Sequence, residues 1–478
     1  MIEKRDFYID GAWTAPQAGR DYHVIDPSTE EPCAVISLGE RADTEAAVAA
    51  AKAALPGWKA VSPAERLAYV EKIYEIYNAR AEEMAQAMSL EMGAPIDLAR
   101  KAQTGAGSYH IKCFIDAAKT FNWVHPLGDG TPGAMIAYEA VGVVGLITPW
   151  NWPMNQVTLK VIPALLAGCT MVLKPSEEAP LSSILFAEFV HQAGVPAGVF
   201  NLVNGDGAGV GTQLSTHPDV EMISFTGSTR AGKAISKAAA ETLKRVVLEL
   251  GGKGANLVFA DADDDAVRRG VVHMMENSGQ SCNAPSRMLV ERPLYEKALE
   301  IAKATAEGTR VGSPREAGDH IGPVINKSQF EKIQGLIESG IKEGATLLAG
   351  GLGRPEGLNK GYYVRPTVFA DCTPDMTIMT EEIFGPVLSI MPFDTEEEAL
   401  AIANDTPYGL TNYVQTQNPA RANRVIREFH SGMVVANGKS RGAGAPFGGV
   451  SSSGRAREGG RWGIEEFCDV KSIGGWFE

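Results

Sequence analysis

The 478-residue chain has no apolar run near the ~18–20 residues that cross a bilayer; its longest, such as Val141–Ile147, stop far sooner. No membrane span is expected. The opening Met1-Ile2-Glu3-Lys4-Arg5-Asp6 carries both charge signs and leads into no apolar segment before Gly11, so no secretory signal is read and the cytoplasm is the expected compartment. The six cysteines, at 33, 113, 169, 282, 372 and 468, include no CxxC pair, which argues against a zinc ribbon or a redox dithiol and for reduced thiols. The eight histidines form no HExxH, and no metal site is expected. Lys and Arg number 44 against 58 Asp and Glu, a net charge of −14 that repels phosphate backbones and anionic lipid, so neither nucleic acid nor a membrane is an expected partner. A local basic pocket for one phosphate stays compatible with that balance.

What is present reads as a folded, multi-domain chain. Apolar residues make up 44% and charged residues 21%, and the length fits two to four domains, centred on about three. Ser62-Pro63-Ala64-Glu65 combines an N-cap hydroxyl, a proline at the first helical position and a capping-box glutamate, and predicts a long helix that Gly93 stops. Asp43–Leu55 reads as a shorter, Ala-rich helix before it. From about residue 139, short β-rich runs alternate with helix-like stretches. The runs are Val141–Ile147, Thr170–Leu173, Val199–Val203, Met222–Phe225, Val246–Leu248 and Asn256–Phe259, with helices at Leu181–Gly194 and Ala231–Leu243. That rhythm predicts parallel βαβ units, with ligands outside the carboxyl ends of the strands. A second α/β rhythm follows at Arg287–Val290, Thr346–Ala349, Pro366–Phe369 and Val387–Pro392. Two α/β lobes are expected to join near Leu250-Gly251-Gly252, where paired glycines permit a sharp change of direction.

Two residues stand out chemically. Cys282 closes Asn277-Ser278-Gly279-Gln280-Ser281-Cys282, a small polar turn and not an apolar stripe, although a lone cysteine is more often a buried structural thiol. Glu249 ends the apolar strand before Leu250-Gly251-Gly252; desolvation there would raise its carboxyl toward a general base's range, and the plainer reading is an exposed strand-end glutamate.

With these motifs in order from Phe7-Tyr8-Ile9-Asp10-Gly11 to Val470-Lys471, the chain resembles the NAD(P)-dependent, non-acylating aldehyde dehydrogenase superfamily. The resemblance implies an α/β fold of that type: a Rossmann-like cofactor domain (1–120 and 140–249), an α/β catalytic domain (250–466, its late loop 437–458 at the active site) and a small β oligomerisation element (121–139 and 467–478). It implies oxidation of an aldehyde to a carboxylic acid in a homodimer or homotetramer, with NAD as cofactor and NADP tolerated. Cys282 would form a thiohemiacetal and then a thioester, Asn151 of Thr148-Pro149-Trp150-Asn151 would donate to the oxyanion, and Glu249 would activate the hydrolytic water. Glu458 would relay protons or orient that base; alone it reads as a solvated charge beside Arg457, and Asn151 alone as a turn residue. Cofactor contacts fall on Thr148, Trp150, Lys174, Ser176, Glu177, Gly207, Gly227, Ser228, Glu382 and Phe384, with the Glu177 carboxylate favouring a free ribose hydroxyl over a 2′-phosphate. The turn from Phe225 to Gly232 is not GxGxxG and is weak alone.

The substrate pocket is expected at Asn155, Gln156, Arg441 and Phe447. Arg441 or Lys439 would recognise an anionic group on a carboxylated semialdehyde, against the plainer reading of solvated loop charges. Two departures from the late family pattern PFGGxKxSGxGRE, Ser451 and Ala456, touch loop support or a subunit contact. Two other readings remain: acyl transfer to coenzyme A, which Glu249 disfavours, and a non-catalytic nucleotide-binding or structural protein on the same fold.

Overall fold

The computed structural model describes residues 1–477. One seven-stranded sheet runs, in spatial order, Arg245–Glu249, Met222–Thr226, Val143–Ile147, Thr170–Lys174, Phe200–Leu202, Phe7–Ile9 and Ala12–Thr14. The first five are parallel, and the N-terminal hairpin adds the last two antiparallel. Both faces are covered, which is why these strands read as unbroken apolar runs. Val144 and Leu146 join one hydrophobic cluster while Val143 and Ile147 join another on the opposite face. Strand order reverses between Val143–Ile147 and Met222–Thr226, and that switch point opens a crevice at their carboxyl ends.

The second seven-stranded sheet runs Thr346–Ala349, Thr367–Ala370, Val387–Phe393, Arg287–Glu291, Ala255–Val258, Thr411–Gln415 and Met433–Ala436, parallel except at Thr346–Ala349. The last two strands were not anticipated, because Thr411-Asn412-Tyr413-Val414-Gln415 mixes polar and apolar residues and only its neighbours bury it. The chain leaves the first sheet at Glu249 and enters the second at Ala255. The carboxyl edge of one sheet therefore meets the amino edge of the other. Cys282 and Glu382 come from the second sheet, where both precede their strands.

The paired glycines at this junction serve closeness and not turning. Neither has a positive φ. A Cβ on Gly251 would sit 2.3 Å from the Glu382 carboxylate, and one on Gly252 would sit 2.4 Å from the Cys282 carbonyl.

The helix begun by the Ser62 capping box does not reach Gly93 unbroken: it divides into Pro63–Ala79 and Ala81–Met92. No glycine or proline marks the break. Arg80 pairs there with Glu83 and Glu188 and lies 4.8 Å over the Phe189 ring, contacts that sequence pattern does not reveal. Gly93 ends the second helix at φ 75°. The helix expected at Asp43–Leu55 extends over Arg41–Ala60, through Pro56, its last turn anchored by buried Trp58.

Two three-stranded sheets complete the fold. In one, Ile2–Lys4 pairs with Glu31–Leu38, which pairs with Arg20–Asp26. In the other, Met135–Ala140 lies between Val124–Pro126 and Cys468–Ile473, with Cys468 opposite Ala140. Residue 478, the end of the expected oligomerisation element, lies outside the described residues. Among the described residues, no helix is long and apolar enough to cross a membrane and no cluster of His, Cys, Asp and Glu is placed to hold a metal.

Candidate active site

Cys282 lies between the helix Ala266–Met275 and the strand Arg287–Glu291, after three consecutive left-handed residues, Asn277, Ser278 and Gly279, at φ 51°, 56° and 71°. Gly279 is required there, because a Cβ would meet the Gly385 carbonyl at 2.1 Å. The two non-glycine positions are strained and are held by surrounding bonds. Asn277 Nδ2 donates to the Asn151 carbonyl at 2.9 Å, Gln103 Nε2 donates to the same carbonyl at 3.1 Å, and Ser278 Oγ donates to the Gly322 carbonyl at 2.7 Å. Asn151 Nδ2 in turn donates to the Gln280 carbonyl at 3.0 Å. One amide hydrogen is thereby fixed and the other is left for an acceptor beside the cysteine turn. Asn151 is buried, so it is more than an open turn residue.

Cys282 is half-buried. Burial, then the negative charges of Glu249 and Glu382, push its thiol well above the ordinary range. The resting group is a protonated thiol, and a nucleophilic thiolate needs a proton acceptor. Glu249 is only 2% exposed, which removes the reading of a solvated strand end. Burial first, and then the neighbouring Glu458 charge, raise its carboxyl well above the usual range, while Lys160 and Arg457 oppose the shift. Neither of its oxygens has a hydrogen-bond partner among the described residues. Such a carboxylate is desolvated, basic and free to receive a proton.

Glu458 is also buried, so it is not a solvated charge beside Arg457. Its Oε1 accepts from Lys160 Nζ at 2.5 Å, and its Oε2 is free. Its backbone forms a two-way bridge with Phe447 at 2.8 Å in each direction, tying the late loop to the site. That loop also covers Glu249: a Cβ on Gly448 would lie 2.8 Å from Glu249 Oε1. Of the two departures, Ala456 is buried with its carbonyl against Gly448, and Ser451 Oγ bonds His430 Nε2 at 3.1 Å.

A cavity of about 340 Å³ opens onto Cys282 and brings together Asn155, Gln156, Arg441, Phe447 and Glu458. Lys439 lies outside it. Gln156 is buried with Oε1 unpartnered, and His110 Nε2 bonds Asn155 Oδ1 at 2.8 Å. Burial lowers His110 to about 4, so the ring is neutral near pH 7.

The crevice of the first sheet gathers most of the expected cofactor residues. Lys174 ends its strand and pairs with Glu177 at 3.1 Å, and the Thr148 N–H donates to the Lys174 carbonyl. Ser176 Oγ accepts from the Glu178 N–H at 3.3 Å. Gly227 donates to the Glu249 carbonyl at 3.0 Å, linking crevice and base directly. Ser228 caps the helix Thr229–Ala239, its hydroxyl accepting from the Ala231 N–H at 3.3 Å, and the start of a helix favours an anion. A Cβ on Gly207 would meet no protein atom within 4 Å, and the buried Thr226 hydroxyl and Asn204 amide have no partner. Open space, donors at a helix start and a Lys–Glu pair fit a dinucleotide. Farther along, Glu382 Oε1 accepts from the Gly252 N–H at 2.9 Å, and Phe384 packs edge-on to Trp150 with ring centroids 5.5 Å apart.

Lys160 and Lys253 escaped the sequence reading, since a lysine inside an apolar or glycine-rich run gives no sign of what it faces. Lys253 is buried with Nζ unpartnered, and burial and Arg287 lower it to about 7.

A profile of the aldehyde dehydrogenase family matches residues 13–473. The 3-succinoylsemialdehyde-pyridine dehydrogenase of a Pseudomonas species is 47% identical over all of this chain and 99% of that protein. A crystal structure of an aldehyde dehydrogenase from Bartonella henselae superposes with a TM-score of 0.99 at 63% identity, covering 100% of both chains. Aldehyde dehydrogenase C from Pseudomonas syringae, solved as a variant with NAD+ and octanal, superposes at 0.96 with 47% identity, covering 98% of this chain and 96% of that one.

Proposed function

The chain belongs to the aldehyde dehydrogenase family, and from that premise we propose that it oxidises its aldehyde to the free carboxylic acid with NAD, using Cys282 as nucleophile and Glu249 as base. The observation that carries this reading is the Glu249 carboxylate, buried, raised and unpartnered beside a thiol whose proton must be removed.

Glu249 takes the thiol proton, and the Cys282 sulfur forms a bond to the carbonyl carbon. The oxygen that becomes negative accepts from the free Asn151 amide hydrogen and the Cys282 N–H. NAD, when bound, accepts the hydride released as that oxyanion collapses to a thioester. Once Glu249 has released that first proton, it draws one from water, whose oxygen attacks the thioester carbon; the C–S bond breaks, the acid leaves, and the proton passes from Glu249 to the departing thiolate, restoring the thiol. Glu458, fixed by Lys160 and near enough for its charge to raise Glu249, would accept that first proton from Glu249.

Lys174, Ser176 and Glu177 would hold the adenine-side ribose, Gly207, Gly227 and Ser228 the pyrophosphate, and Glu382, Phe384, Thr148 and Trp150 the nicotinamide end. The Glu177 carboxylate disfavours a 2′-phosphate, which supports NAD over NADP. The cofactor role is assigned to 1–120 and 140–249 and the catalytic role to 250–466. Subunits would associate as a homodimer or homotetramer through the small sheet, whose edge strand Cys468–Ile473 leaves Val470 64% exposed.

The test is NADH formation from a panel of aldehydes, with identification of the product. Free acid formed without coenzyme A, and lost in Cys282→Ala, supports the reading. A requirement for coenzyme A, or NAD binding without turnover of any aldehyde, overturns it.

A further inference from the structure

Arg441 differs from the two arginines that line the adjoining surface, Arg268 and Arg269. Arg268 and Arg269 are neutralised by Asp265 and Asp263. Arg441 has no carboxylate within ion-pair distance among the described residues, although it lines the cavity that reaches Cys282. Nη1 donates to the Pro446 carbonyl at 3.0 Å, and the guanidinium carbon stands 5.6 Å from the Phe447 ring centroid, which fixes the group by one bond and one face. Its remaining N–H groups have no partner among the described residues.

The loop that presents it is built, not slack. Asn437 is locked to Thr416 by two bonds of 2.9 and 3.0 Å, and Gly438, Gly442 and Gly444 take left-handed φ of 66°, 93° and 68°. The groups around the guanidinium, Tyr109, Tyr413 and the neutral ring of His110, offer it no counter-charge. The acidic groups on the cavity wall are Glu458, already paired with Lys160, and Glu276, an exposed residue whose carboxyl lies above its ordinary range and which forms no ion pair with Arg441. Asn155 and Gln156 line the way to the cysteine with polar amides where apolar side chains would suit long alkyl groups.

We propose that Arg441, and not Lys439, is the specificity residue of this site and binds a carboxylate at the far end of the substrate, making the preferred substrates short ω-carboxy aldehydes. The inference rests on the aldehyde-oxidising reading above. A guanidinium with a free fork recognises a carboxylate bidentately, and one with no carboxylate partner in the protein keeps that fork for an anionic ligand.

The experiment compares 4-oxobutanoate and 5-oxopentanoate with their methyl esters and with butanal, in the wild type, Arg441→Gln and Lys439→Gln. The expected wild-type preference for carboxylate over ester is at least tenfold in kcat/KM; it collapses toward one in Arg441→Gln, chiefly through KM, and persists in Lys439→Gln. Equal or better use of the esters, or a preference that survives Arg441→Gln, overturns the proposal while leaving aldehyde oxidation intact. If no aldehyde is oxidised, that reading fails by itself, and calorimetry with succinate and glutarate still decides this one. Binding lost in Arg441→Gln supports it, and binding equal in both proteins, or absent from both, overturns it.

Discussion

Lys160 Nζ lies 2.5 Å from Glu458 Oε1 in a region where the two side chains are 0% and 5% exposed. Removing one member of such a pair strands a charge in a low-dielectric site. Lys160→Met is expected to destabilise the fold by ~3–5 kcal/mol, whereas Lys160→Met/Glu458→Leu recovers most of the loss. Urea unfolding of the two variants checks this; equal loss in both would mean that packing, not charge, dominates.

Glu249→Gln keeps the shape of the site but cannot take a proton. Steady-state turnover is expected to fall ~10²–10⁴-fold. Removing the negative charge should also move the alkylation of Cys282 by iodoacetamide to lower pH, since that charge raises the thiol. An alkylation profile identical to the wild type would contradict the electrostatic link.

Asn151→Ala deletes the amide that aims at the developing oxyanion and costs ~10²–10³ in kcat. It also removes the bond to the Gln280 carbonyl, so circular dichroism and thermal melting should accompany the kinetics. A proportionate loss of folded protein would reassign the residue to support of the turn.

Gly252→Ala places a methyl 2.4 Å from the Cys282 carbonyl. Backbone must shift, and a stability loss of ~1–3 kcal/mol with a larger loss of kcat/KM is expected. Wild-type kcat/KM in a stably folded variant would show that the cysteine turn tolerates displacement.

Glu91 is fully buried and accepts from the N–H groups of Leu181 and Ser182 at the start of a helix, yet burial raises its carboxyl from 4.5 to about 7. Between those values the folded state holds a proton that the unfolded state has lost. Stability from this group is therefore full below about 4.5 and falls as pH rises through about 7, by on the order of 3 kcal/mol. Glu91→Gln should lack that slope when unfolding is compared at acid and mildly alkaline pH; the same slope in both proteins would exclude Glu91 as its source.

The sequence by itself determined the alternation of strand and helix, the capping of the Ser62 helix, and the chemical identities of Cys282, Asn151 and Glu249, because periodicity, caps and residue chemistry are local properties of a chain. It also carried the family motifs in order. Tertiary structure decided what depends on partners far away in sequence. Glu458 and Lys160 are 298 residues apart, and nothing near either one shows that both are buried together. The break at Arg80 depends on Glu188, and the glycine pair at 251 and 252 depends on Glu382 and Cys282. Arg441 and Lys439 are equivalent as letters in a basic loop. Both are exposed, and only the fold puts Arg441 on the wall of the cavity that reaches Cys282 and leaves Lys439 off it, since charge recognition depends on position and on which counter-charges are near.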